Sequence, residues 1–125
     1  MDYFETSLFP GVYFEDSYVL GVDERPGEVR FLIDAVLEQT HPQYTEPGPD
    51  EQYCYREGNL VFPAVRRLRW ISRTFAESID KDGSVDYGNI DTFTIEGDTY
   101  RLSGDWGELE IVSETPKFIL GHQTA

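Results

Sequence analysis

The stretch "PAVRRLRWISRTFAESI" (63–79) decides between two fold classes. Read as a helix, Pro63 opens it, and Val65, Leu68, Ser72, Phe75 and Ile79 recur at helical spacing. Read as a strand, Leu68, Trp70 and Ser72 alternate with Arg67, Arg69 and Arg73. Spacing alone leans to helix. Context leans the other way, because Asp82-Gly83 downstream is a good hairpin turn. A strand around 65–71 is therefore expected, with a helix over 63–79 as the alternative.

The flanking sequence reads as strand on both sides. In "VRFLIDAVLEQ" (29–39), Val29, Phe31, Ile33, Ala35 and Leu37 form an unbroken alternating face, while Arg30, Asp34 and Glu38 point away. A turn at "ERPGE" (24–28) joins this run to "GVYFEDSYVLGVDE" (11–24) as a hairpin. There Val12, Phe14, Asp16, Tyr18, Leu20 and Val22 are expected on one mostly apolar face. "THPQYTEPGPDE" (40–51) carries three prolines and one glycine, which blocks both helix and central strand. "QYCYREGNLVF" (52–62) reads as strand, turn, strand, with Glu57-Gly58-Asn59 as the turn. Beyond residue 89, "NIDTFTI" (89–95), "YRLSG" (100–104) and "LEIVS" (109–113) alternate with glycine-bearing turns, and Phe118–Leu120 forms a last edge strand. The expectation is one mostly β domain over 1–125, an antiparallel β-sandwich or open barrel of about seven to nine strands.

Composition narrows the function classes. Among 125 residues, 24 are acidic and 10 basic, a formal net charge of −14. Phosphate backbones and anionic membrane surfaces would repel such a chain, whereas a basic protein partner would be attracted. Cys54 is the only cysteine, so no intrachain disulfide forms, which fits a reducing compartment. "MDYFETSLFPG" lacks the basic start and apolar run of a signal peptide, and no stretch approaches the roughly 20 apolar residues of a membrane span. A cytoplasmic location is expected.

"SIDKDGSVDYGNID" (78–91) places Asp80, Asp82, Ser84 and Asp86 at every second position, like a calcium loop. Such a loop needs Gly at its sixth position and usually Glu at its twelfth; here those are Val85 and Asp91. A polar turn between strands is the simpler account, and calcium binding over 80–91 the minor alternative. No metal site or cofactor is expected. The sequence carries no GxSxG, P-loop or GxGxxG pattern. Glu15 and Asp16 are adjacent on a strand, so they face opposite ways and cannot act as a carboxylate pair. In "GDWGE" (104–108), Trp106 is either a lid on the core or an exposed anchor for a partner. Arg66, Arg67, Arg69 and Arg73 surround Trp70 and are expected to pair with local carboxylates, an anion-binding patch being the alternative.

"EDSYVLG", "HPQY" before "YCYREGNLVF", "DYGNIDTF" and "GDWGE" together resemble small bacterial proteins of similar size and acidity to immunity proteins of polymorphic toxin systems. The resemblance carries over no catalytic residue and implies blocking a toxin by binding it. The leading expectation is a non-enzymatic binding protein that meets a basic protein partner through Asp82, Asp86, Asp91 and Trp106. The runner-up is a small enzyme or small-molecule binder with a pocket near His41, Tyr44 and Tyr55.

Overall fold

The computed structural model describes residues 1–75, 78–79, 83 and 85–121 of the chain. Asp80, Asp82, Ser84 and His122 lie outside the described residues, and with them most of the calcium-loop reading.

The hairpin expected at the start is present. Strands β1 (Val12–Arg25) and β2 (Glu28–Leu37) pair antiparallel, Arg25 opposite Glu28, with Pro26-Gly27 between them. In β2 the inner face is the one read from the sequence: Val29, Phe31, Ile33, Ala35 and Leu37 are all buried. Strand β3 (Cys54–Pro63) pairs along the whole of β2, and β10 (Lys117–Leu120) pairs with β3. This makes a first sheet of order β1-β2-β3-β10.

The deciding stretch is a strand, β4 (Arg67–Arg73). It lies beside β9 (Gly107–Val112), which pairs with β8 (Thr99–Gly104), which pairs with β7 (Thr92–Glu96). The second sheet thus has the order β4-β9-β8-β7. A short pair, β5 (Ser78–Ile79) and β6 (Val85–Asp86), forms a third sheet, with β6 against β1. The fold is mostly β and antiparallel, as the alternation predicts. Only one 3-10 turn, Tyr3–Glu5, breaks the pattern among the described residues.

Strand β1 crosses the second sheet rather than running along it. Near its start the Phe14 ring is 5.7 Å from Phe93 of β7, and at its end Glu24 bonds Trp70 and Arg73 of β4. β7 and β4 are the two edges of that sheet, so the layers cross at a steep angle. Phe14 also lies 5.7 Å from Phe118 of β10, so the first sheet curls toward closure. Aromatic rings fill the space between the layers. Phe31 meets Trp106 at 5.4 Å, and Phe62 meets Tyr100 at 5.5 Å, both edge to face.

Two local expectations are corrected. Glu57-Gly58-Asn59 is not a turn: Gly58 pairs with Ile33 in the middle of β3. Its bare Cα has a packing reason, because a Cβ there would come within 2.5 Å of Phe118 and 2.7 Å of the Ile119 carbonyl oxygen. Nor does β1 keep one apolar face. Its register with β2 shifts between Tyr13 and Tyr18, a bulge closed by Ser17. The Ser17 hydroxyl donates to the Tyr13 carbonyl (2.7 Å) and accepts from the Val36 amide (2.9 Å). Ser17 and Val19 turn inward, and Tyr18 moves to the outer face opposite Asp34.

Candidate functional site

The bulge in β1 creates the most distinctive surface of the molecule. Register places Tyr18, Asp34 and Glu57 in one row across β1, β2 and β3, each directly opposite the next. Cross-strand partners share a face, so Asp34 and Glu57 are like charges set side by side, an arrangement that costs stability. Asp50 and Glu51 from the proline loop, Asp86 from β6, and Tyr55 from β3 complete a cleft of about 520 Å³ around them. Among the described residues, no arginine, lysine or histidine lines it.

The electrostatics follow from that geometry. Burial pushes the Asp34 carboxyl above its ordinary value, and Glu57, Glu51 and Asp86 push it further the same way. The Tyr55 phenol is likewise pushed well up, first by burial and then by Tyr18 and the nearby carboxylates. Tyr55 and Tyr18 rings lie 5.9 Å apart, and Tyr53 meets Tyr55 edge to face at 6.0 Å. The cleft is therefore an acidic hollow with an aromatic wall. Its carboxylates are spread out: among the described residues no group of three or more His, Cys, Asp or Glu side chains is placed to hold a metal ion.

The residues expected to bind a partner are scattered. Asp86 lines the cleft, but it is mostly buried and its Oδ1 accepts the Gly88 amide (2.8 Å), so it also holds its own turn. Asp91 is exposed and does not line the cleft. Asp82 is outside the described residues. Trp106 is corrected from exposed anchor to core: it is 0% exposed, and its indole donates to the Asn89 carbonyl (3.1 Å). A tryptophan between two glycines gives a turn tight enough to fold the ring under, where Phe31 and Trp70 enclose it.

The expected pocket around His41, Tyr44 and Tyr55 also divides. Tyr55 belongs to the acidic cleft, whereas His41 lines a separate cleft of about 380 Å³ with Gln43 and six residues of apolar type. Tyr44 lines neither; it packs half-buried against the core. Cys54 is buried with its sulfur beside Thr45, 3.5 Å from the amide and 3.8 Å from the hydroxyl, not beside His41.

The second sheet presents the opposite arrangement. Glu110 of β9 stands between Arg69 of β4 and Arg101 of β8, register partners on either side. It accepts a hydrogen bond from Arg101 (2.6 Å) and forms an ion pair with Arg69 (3.6 Å). Arg101, then Arg69, hold its carboxyl below the ordinary value. Arg66 pairs with Asp98 and Arg73 with Glu24, so most of the arginine cluster is matched locally.

Asp34 was legible as outward-facing, but the carboxylate opposite it was not. Only the register of β2 on β3 brings Glu57 there, and no local pattern encodes that register. No helix among the described residues is long and apolar enough to cross a membrane. Comparison of the chain with protein-family models, curated proteins and solved structures found no match in any of the three.

Proposed function

We propose that this chain is a non-enzymatic binding protein whose acidic cleft receives a basic segment of a partner protein. The observation that carries the reading is the gathering of Glu57, Asp50, Glu51 and Asp86 around Asp34 in a cleft that Tyr18 and Tyr55 wall and that, among the described residues, no cation lines. Two carboxylates held face to face raise the energy of the free protein. An arginine or lysine side chain entering the cleft would remove that repulsion and stack against Tyr18 or Tyr55. The net charge of −14 would speed the encounter at low salt. The concrete form favoured is an immunity-type inhibitor in the cytoplasm that occludes a basic toxin. Opposed charge kept at a cost to folding is the kind of feature that binding function maintains.

The test separates the cleft from bulk acidity. A short arginine- and lysine-rich peptide is titrated into the wild type, Asp34→Asn and Asp91→Asn, each substitution removing one charge. Loss of affinity at Asp34→Asn, with Asp91→Asn near wild type, supports the reading. Equal losses would show that only net charge matters and would remove the cleft from the account. A pull-down from the native host at low and high salt then recovers the natural partner, which salt should release.

A further inference from the structure

The cleft at His41 is independent of the acidic one. Phe9, Pro10, Val12, Pro42 and Phe118 form its apolar walls, and His41 is one of two polar residues lining it. Its volume of about 380 Å³ falls in the range of small-molecule sites, which are mostly apolar with few fixed polar groups.

His41 is held from several directions. Its amide donates to the Glu38 carbonyl (2.9 Å), and its carbonyl accepts from the Tyr44 amide (3.0 Å). Its backbone and Cβ press on Gly11, where an added Cβ would come within 2.8 Å of the histidine Cβ. Gly11 has φ +77°, a conformation that also favours glycine. On the ring, Nδ1 accepts the Gln43 amide (2.9 Å). An accepting Nδ1 carries no proton, so the hydrogen of the neutral ring is on Nε2. Nε2 has no bonding partner among the described residues. The fold thus leaves one N–H donor available on a histidine that lines the cleft.

We propose that this cleft binds a small, uncharged, mostly apolar molecule whose single acceptor oxygen, as in a ketone or amide, takes the His41 Nε2 hydrogen. An anionic ligand is disfavoured by the net charge of −14.

The probe is acetophenone, compared with ethylbenzene, which has the shape without the oxygen, and with benzoate, which has the charge. Amide signals of Val12, Gln43 and Phe118 are followed by NMR. Acetophenone should shift all three, with a dissociation constant on the order of 1 mM for so small a molecule. Ethylbenzene should bind about fivefold more weakly, the worth of one neutral hydrogen bond. Benzoate should do no better than ethylbenzene. His41→Asn keeps an acceptor for the Gln43 amide but lacks the distal donor, so its preference for acetophenone should vanish. His41→Gln extends an N–H to the same reach and should restore it. Should either variant fail to fold, the three ligands on the wild type decide. Equal binding of acetophenone and ethylbenzene, or no shift at these amides, overturns the proposal. So do shifts of the same signals with protein concentration alone, because they would assign the cleft to self-association.

Discussion

Asp34 and Glu110 occupy equivalent places on the two outer faces. Each sits on an inner strand of its sheet, with a register partner on either side. Glu110 has an arginine to each side, and its carboxyl is held below the ordinary value. Asp34 has a tyrosine on one side and a glutamate on the other, and its carboxyl is pushed up. The backbone is the same kind of antiparallel ladder in both. What differs is which residue the register delivers. One face sets opposite charges in register and the other sets like charges, and the like-charged one lies in a cleft. Acidity alone would not single out either face; the contrast does.

The strongest perturbation removes the support the two faces share. Trp106 touches Phe31 of the first sheet and Trp70 of the second. Trp106→Ala should cost about 3–5 kcal/mol in chemical denaturation, the range for a buried aromatic. A loss below about 1 kcal/mol would show that Trp106 is not the keystone described. Next, Glu57→Arg gives Asp34 the kind of neighbour Glu110 has. Basic-peptide affinity should fall at least about tenfold in calorimetry, because the introduced cation occupies the site. Meanwhile the free protein should gain about 0.5–1 kcal/mol from the favourable cross-strand pair. Tighter peptide binding by this variant would break the comparison.

The pH dependence sharpens it. Asp34 binds its proton more tightly folded than unfolded. Its protonated form therefore contributes stability below about pH 3.8, its ordinary value, and that contribution is lost as pH rises through the raised folded value. Glu110 behaves oppositely: its contribution is present above its ordinary 4.5 and lost as pH falls through the lowered folded value. Melting temperature against pH should accordingly lose, in Asp34→Asn, part of any fall that sets in as pH rises above about 3.8, and in Glu110→Gln part of the fall as pH drops below about 4.5. Peptide binding should change only in Asp34→Asn. The smallest expected effect is that of salt on the free proteins. Added salt should stabilise the wild type slightly more than Glu57→Arg, because it screens repulsion in one and attraction in the other.

What could be read from the chain was local. The five inner residues of β2 followed from period two, and the Pro26-Gly27 hairpin from turn chemistry. The leaning of 63–79 toward helix was overridden by partners: β4 is a strand because β9 lies beside it and Leu68 and Trp70 turn inward, half-buried. What could not be read depended on distant contacts. The bulge at Tyr13–Tyr18 is closed by a Ser17 bond to Val36, and Gly58 looked like a turn because its neighbour Phe118 lies far away in sequence. The candidate site fell mostly in this second group. By sequence Asp86 and Tyr55 belong to two different expected sites, yet they line one cleft, whose central carboxylates emerge only from strand register.

The account turns on Asp34 being a carboxylate set among like charges that a cation would relieve. Its titration can be followed by carboxyl carbon NMR, alone and with the arginine- and lysine-rich peptide bound. The predicted result is a midpoint above 3.8 in the free protein that drops when the peptide binds. A free midpoint at or below 3.8, or one that the bound peptide leaves unmoved, would contradict it.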